Sequence, residues 1–440
     1  MIKNTEHDVI IVGAGVAGIS AAVHSIKNGK KPLLIEATAN IGGRARSFID
    51  VISGDSIDNG QHVMMGCYSA FIELIDILGM MDFMHKQRSL TIPFHFPDGE
   101  NDVLRASVLG GINGPIGMAM GMLRLSFLSR KEKRSLMFFS LRLKLGMCKP
   151  GSMNALEFLQ SESQSVNLIS LIWTPVILAT MNGKPEEVSA KIFMTVLQLA
   201  FFGKGDSSSL YIPTCGLSEL LKPASDWLIQ HGGSIMQSNG VRSIIMENDA
   251  LIGVELSDGN ILESSRIISA IPPHALQKII PDRYMVHDYF SSLNSMKYSP
   301  IVSLYLWFDS SFPEIELAAI MHSSTHWIFP KKTNMNGAQS LLALTISAGD
   351  EIVSKSTEEI AYHCAEEVKT YFPEMKLASL LHWKVIKEKH ATILIDPEMK
   401  RPQQQSPIEG LFLAGDWTET GLPATLEGAA LSGKITASMI

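Results

Sequence analysis

The sequence predicts an α/β protein: a Rossmann-type nucleotide domain into which an α+β substrate domain is inserted. Two observations at the chain ends and one between them predict it. Near the start, Asp8-Val-Ile-Ile-Val-Gly13-Ala14-Gly15-Val-Ala-Gly18 is an apolar strand running into a glycine turn and a helix. Near the end, Leu411-Phe-Leu-Ala-Gly415-Asp416 is a strand and turn, followed by a loop with Pro423 and a helix of small residues. Between them, helical stretches and short alternating strands fill about three hundred residues at ordinary domain sizes. Two strand–turn–helix units so far apart require the termini to fold together, with one ligand across both.

The elements follow in order. Residues 8–36 read as βαβ: strand Val9–Val12, a helix from about Ala14 to Gly29, strand Pro32–Glu36. Residues 56–66 read as a loop, and 68–80 as an amphipathic helix with Gly79 at its C-cap. Residues 105–205 read as mostly helical and rich in Met, Leu and Phe; 216–232 is a further helix ending at Gly232-Gly233. Short strands come next at Ser234–Met236, Val241–Glu247, Leu251–Leu256 and Asn260–Ser264, with Asp258-Gly259 as a hairpin turn. Arg266–Ala270 is a buried strand, 300–309 and 340–347 belong to a second sheet, and 356–372 is a helix. The nucleotide domain is thus expected from 1–95, 212–272 and 406–440. Residues 96–211 form a helical, substrate- and membrane-facing part, and 273–405 the substrate-domain sheet.

Composition narrows the function. The chain has 440 residues, 18% of them charged against the usual ~25%, and a net charge of −7. Nucleic acid is not an expected partner, because no basic field exists to attract phosphates. The 23 methionines read first as ordinary core filler, and they also suit adaptable packing around a flexible apolar ligand. Cys67, Cys148, Cys215 and Cys364 form no CxxC pair, so reduced thiols are expected, with neither a metal site nor a disulfide framework. The first apolar run leads into the glycine turn instead of a cleavage site, which points to the cytoplasm. The uncharged run Ala106–Leu123 is interrupted by Gly110, Gly111, Asn113, Gly114, Pro115, Gly117 and Gly121, so no transmembrane helix is expected.

Chemistry enters with the motifs. Gly13 permits the tight turn, Gly15 lets backbone approach a pyrophosphate, and Gly18 lets helix and strand pack closely. The helix N-terminus offers free N–H groups to the phosphates. Glu36, closing the next strand, suits the ribose hydroxyls. Gly42-Gly43-Arg44-Ala-Arg46 then brings a second loop and a cation to the pyrophosphate, which favours FAD over NAD. Asn59, Gly60, Gln61 and His62 form a polar patch expected beside the flavin ring, with His62 a candidate proton donor. Val241 is the candidate backbone strand against the adenine. Gly415 and Asp416 suit ribityl or phosphate oxygens. Pro423, Ala424 and Thr425 open a helix whose N-terminus would favour negative charge on the reduced ring. Glu427 is expected to be structural.

GAGVAG, GGRARS and the closing Gly-Asp turn resemble the FAD-dependent amine oxidase/phytoene desaturase superfamily, which implies a glutathione-reductase-like FAD domain. Three further pieces resemble the squalene-associated FAD-dependent desaturase family, also called hydroxysqualene dehydroxylase. They are Asp58-Asn-Gly-Gln-His62-Val, Ile172-Trp-Thr-Pro175-Val-Ile-Leu-Ala-Thr-Met-Asn182, and Ala414-Gly-Asp-Trp417-Thr-Glu-Thr-Gly-Leu-Pro-Ala-Thr-Leu-Glu427. Gly183 departs from the pattern, which carries threonine after the asparagine. The resemblance implies reduction of hydroxysqualene, a lipophilic C30 isoprenoid, to squalene in the branch feeding hopanoid synthesis. Basic residues Arg124, Arg130, Lys131, Lys133, Arg134, Arg142, Lys144 and Lys149, interleaved with Leu123, Phe127, Met137 and Phe138, suit peripheral contact with the inner face of the membrane. No electron donor is specified. The alternative enzyme is a carotenoid-type desaturase of phytoene or dehydrosqualene; an amine oxidase fits less well. The non-enzyme alternative is a prenyl-binding escort protein of the Rab GDI type.

Overall fold

The computed structural model describes residues 2–3, 7–106, 115–203 and 206–440. Residues 107–114, in the middle of the uncharged run, lie outside the described residues.

The nucleotide sheet has five parallel strands in the order Ser234–Met236, Pro32–Ile35, Val9–Val12, Ile267–Ser269, Leu411–Leu413. Val9, Ile10, Ile11 and Val12 are all buried, as a parallel strand covered on both faces requires. Three widely separated stretches of chain therefore build one sheet. Small residues tie the ends together. The helices Val16–Lys27 and Leu426–Ala437 pack so closely that a Cβ on Gly433 would stand 2.2 Å from the Ala17 carbonyl oxygen. The Ser20 hydroxyl donates to the Ala430 carbonyl at 2.7 Å.

A seven-stranded sheet faces the nucleotide domain. Its order is Leu380–Ile393, Tyr298–Phe308, Ser340–Ile346, Trp327–Lys331, Ala318–Ile320, Thr91–His95, Asp102–Arg105. All neighbours are antiparallel except Ala318–Ile320 with Thr91–His95. Along Tyr298–Phe308, Val302, Leu304, Leu306 and Phe308 pack towards the helix Thr357–Tyr371. Ser303, Tyr305 and Trp307 point the other way, and Tyr305 and Trp307 join the core shared with the nucleotide domain.

The structure corrects several expectations. Residues 56–66 hold two short strands, Ser56–Asp58 and Met64–Met65, not a loop alone. The helix over 216–232 divides at Pro223 into Leu217–Leu221 and Pro223–Gln230. Strands 91–105 and 380–393 join the large sheet and were not anticipated. Gly79 does close its helix, with φ +71° and its N–H on the Asp76 carbonyl.

Candidate functional site

The glycine turn is built as its residue types demand. Gly13 adopts φ +99°, which L side chains resist. A Cβ on Gly18 would stand 1.9 Å from the Gly13 carbonyl oxygen, so only glycine allows the helix to sit on the turn. Gly15 is different: nothing lies within 4 Å of where its Cβ would be. It is the N-cap of Val16–Lys27, and no side chain caps that helix. Its first-turn N–H groups thus present an anion site next to a glycine whose Cβ position is clear. The second loop clasps this turn. The Gly42 N–H donates to the Ala14 carbonyl at 2.7 Å, and a Cβ on Gly43 would come within 3.2 Å of the Gly15 Cα.

One continuous cavity of about 570 Å³ collects most of the predicted residues: Gly13, Gly15, Glu36, Gly43, Arg44, Asn59, Gly60, Gln61, His62, Gly415, Asp416, Ala424 and Thr425 all line it. Glu36 accepts the Ala14 N–H at 2.9 Å through Oε2, and the Thr38 N–H and hydroxyl through Oε1. Arg44 donates to Asp416 Oδ1 at 2.7 Å and to the Ala391 carbonyl at 2.6 Å. Asp416 is the largest cause holding the Arg44 guanidinium above its ordinary pKa. Two groups assigned to the cofactor separately are therefore partners of each other. Asn59 reaches Glu388 Oε2 at 3.4 Å.

The remaining residues play other parts. Ala14 contributes its N–H to Glu36 without lining the cavity, and Gly18 serves packing alone. Pro423 lines a small neighbouring pocket shared with Thr425. Val241, expected against the adenine, does not line the cavity. It pairs with Leu256 at the start of Val241–Glu247, while Gly240 abuts Ala37. Glu427 is structural as expected: its carboxylate accepts the Ala70 and Phe71 N–H groups and the Ser69 hydroxyl, capping the helix Ser69–Ile77.

His62 stands on the cavity wall. Burial lowers its pKa first; Lys331 and Arg44 lower it further, and Asp58 opposes them. The imidazole is accordingly neutral at pH 7. Asp58 accepts the Ser47 hydroxyl and the Leu217 N–H and pairs with Lys331 at 3.6 Å, so it anchors the loop.

Beyond His62 the lining turns apolar, with Ile92, Phe94, Met122, Leu125, Ile172 and Phe329 among its walls. Pro175, Val176, Leu178 and Ala179 of the helix Thr174–Met181 line it too. Asn182 caps that helix at φ +47°, donating to the Ser299 carbonyl and the Thr392 hydroxyl and accepting the Ala348 N–H. A Cβ on Gly183 would meet the side-chain methyls of Val188 and Leu394 at 2.5 and 2.6 Å, so the expected threonine would require both to shift. Glu388, Ala391 and Thr392 were missed because their strand, Leu380–Ile393, carries lysines and glutamate among its apolar residues. Among the described residues, no group of three or more His, Cys, Asp or Glu side chains is placed to hold a metal ion.

The residues fit FAD: an uncapped helix start beside an open Gly15, a carboxylate at Glu36, and a passage from there to the helix after Thr425. Comparison with known proteins agrees. Residues 16–440 match the family described as flavin containing amine oxidoreductase. The chain belongs to this family. FAD is its cofactor, and it is an oxidoreductase. Membership sets aside the escort-protein alternative. The chain is similar to hydroxysqualene dehydroxylase of Zymomonas mobilis subsp. mobilis, 26% identical over 436 residues, covering 98% of both chains. It is also similar to 15-cis-phytoene desaturase of Synechococcus elongatus, 24% identical and covering 98% of this chain and 95% of that one. Among solved structures, an oxidoreductase from Methanosarcina mazei shares the fold with a TM-score of 0.73 at 17% identity, over the full length of both chains.

Proposed function

We propose that this flavoprotein reduces hydroxysqualene to squalene. The observation that carries the reading is the continuity of the cavity, in which the candidate cofactor residues and a large set of apolar side chains line one space. The Zymomonas relative supports it, and so does the wording of the Asp416–Glu427 segment. When bound, reduced FAD supplies the hydride that replaces the allylic hydroxyl, whose oxygen leaves with a proton as water. The chain's own residues orient the substrate and exclude water. His62 is our proposed proton donor; because burial lowers its pKa, only the protonated fraction serves. The runner-up is a carotenoid-type desaturase, supported by the phytoene desaturase relatives. Expression in a host lacking squalene, with hydroxysqualene or phytoene supplied in turn, separates the two. Squalene from the first and no change in the second is expected; desaturated phytoene alone overturns the reading.

We further propose that the protein works on the inner face of the membrane. No helix among the described residues is long and apolar enough to cross a bilayer. The helix Arg130–Lys144 buries Leu136, Phe139 and Leu143 and turns Met137, Phe138 and Leu141 outwards, with Phe138 64% exposed. Arg130, Lys131, Arg134 and Lys144 flank them, and among the described residues none of these four is in an ion pair. An apolar ridge edged by cations suits an anionic lipid surface. Just before this helix in the chain, Met122 and Leu125 line the cavity, whereas Leu123 between them is exposed.

A further inference from the structure

The face of the seven-stranded sheet that looks into the molecule is mostly satisfied or apolar. Tyr305 donates its hydroxyl to the Asp58 carbonyl, and Trp307 donates Nε1–H to Asp55 at 2.7 Å. One rung breaks the pattern. Ser303 pairs with Thr345, and Thr345 pairs with Trp327, so three polar side chains cross the sheet side by side. Ser303 Oγ, Thr345 Oγ1 and Trp327 Nε1 are all buried, and none has a hydrogen-bond partner among the described residues. Thr345 and Trp327 line the cavity. Ser303 lies at its edge: a Cβ on Gly60 would stand 3.6 Å from Ser303 Oγ and 3.9 Å from His62 Nε2. Next to Gly60, Gln61 Oε1 is likewise buried and unpartnered.

A buried polar group without a partner costs free energy, and two on the cavity wall with a third at its edge call for a ligand to satisfy them. Their chemistry defines that ligand. Trp327 only donates, Gln61 Oε1 only accepts, and the two hydroxyls do either. None is charged, so an ammonium or a carboxylate finds no counter-ion in the rung, and a hydrocarbon satisfies nothing. We propose that the Ser303–Thr345–Trp327 rung, with Gln61 lining the same cavity, is the subsite that recognises the substrate's neutral hydroxyl and holds it beside His62. This rests on the reading of the cavity as an isoprenoid alcohol site, and it makes the rung the feature that favours the alcohol over its product.

The test is equilibrium binding to the oxidised, FAD-loaded protein, where no turnover occurs, followed through the flavin spectrum. Hydroxysqualene and squalene are the probes, and T345V, W327F and S303A the variants. Wild type is expected to bind the alcohol at least about tenfold more tightly than the hydrocarbon, since a site built for a hydroxyl is left unpaired by its deoxy analogue. T345V and W327F should each cut that preference about three- to tenfold by weakening alcohol binding alone, and S303A less. Unchanged squalene binding and FAD content certify the fold. Equal binding of both probes by wild type overturns the subsite. So do variants that weaken both ligands alike, or that lose FAD instead. Failure of the proposed function reads out separately, as absence of squalene when the reduced wild type meets hydroxysqualene.

Discussion

A methyl group placed on Gly15 is expected to leave folding intact and damage cofactor binding. No protein atom lies within 4 Å of the added carbon, and the residue's backbone at φ −72° suits alanine. The apoprotein of Gly15→Ala should therefore match wild type in denaturant unfolding to within ~0.5 kcal/mol, as neutral substitutions do. Gly15 lines the cavity at the uncapped helix N-terminus, which we propose as the pyrophosphate site, so the added carbon would crowd a phosphate held there against backbone. Crowding of that kind costs about 1–3 kcal/mol, or roughly five- to 150-fold in FAD affinity. Gly18→Ala is the contrast. Its Cβ would stand 1.9 Å from the Gly13 carbonyl oxygen, so the apoprotein itself should lose about 1–3 kcal/mol. The assays are denaturant melts of both apoproteins and FAD titration by flavin fluorescence. If Gly15→Ala kept wild-type FAD affinity, or lost apo stability as Gly18→Ala does, the assignment of Gly15 to the phosphates would fail.

The other predictions concern charge. Asp416→Ala removes the partner of Arg44, whose side chain is 40% exposed, so screening moderates the loss. A drop of about 1–3 kcal/mol in apo stability together with weaker FAD binding is expected, and an unchanged melt would count against the pair. Burial raises the Glu427 pKa despite the hydrogen bonds it accepts. A carboxyl raised on folding stabilises below its unfolded pKa and loses that contribution as pH rises through the folded value. The stability of wild type relative to Glu427→Gln should hence fall as pH climbs from below the ordinary carboxyl range, and a difference flat with pH rejects this. If His62 donates the proton, its lowered pKa means the acidic form is scarce above pH 6.5. Log kcat should rise about one unit per unit fall in pH between 8 and 6.5, and His62→Ala should abolish the slope while keeping FAD. Replacing Arg130, Lys131 and Arg134 by glutamine should weaken binding to anionic vesicles at low salt by about 1 kcal/mol per charge; equal binding of wild type to neutral vesicles would remove the electrostatic part.

The cofactor end was legible because backbone constraints write themselves into residue type. A glycine is needed at Gly13 for φ and at Gly18 for contact, and a carboxylate at the end of the second strand is local in sequence. Pairing of the two termini was readable for the same reason. The substrate end was not. Ser303, Thr345 and Trp327 come from three strands that meet only when the sheet forms, and each alone looks like ordinary strand filler. Strand Leu380–Ile393 was hidden because it is only partly covered and carries charge, so it lacks the clean alternation of a half-buried strand. The Arg44–Asp416 pair joins loops from opposite ends of the chain, and nothing local predicts it.

The reaction proposed for the reduced flavoprotein is removal of the hydroxyl of a C30 alcohol. Anaerobic incubation of the FAD-loaded, photoreduced protein with hydroxysqualene, followed by lipid extraction, tests it directly. Squalene formed in step with flavin reoxidation, about one per flavin, is the predicted result. Recovery of unchanged hydroxysqualene with the flavin still reduced, while the oxidised protein desaturates phytoene, would contradict it.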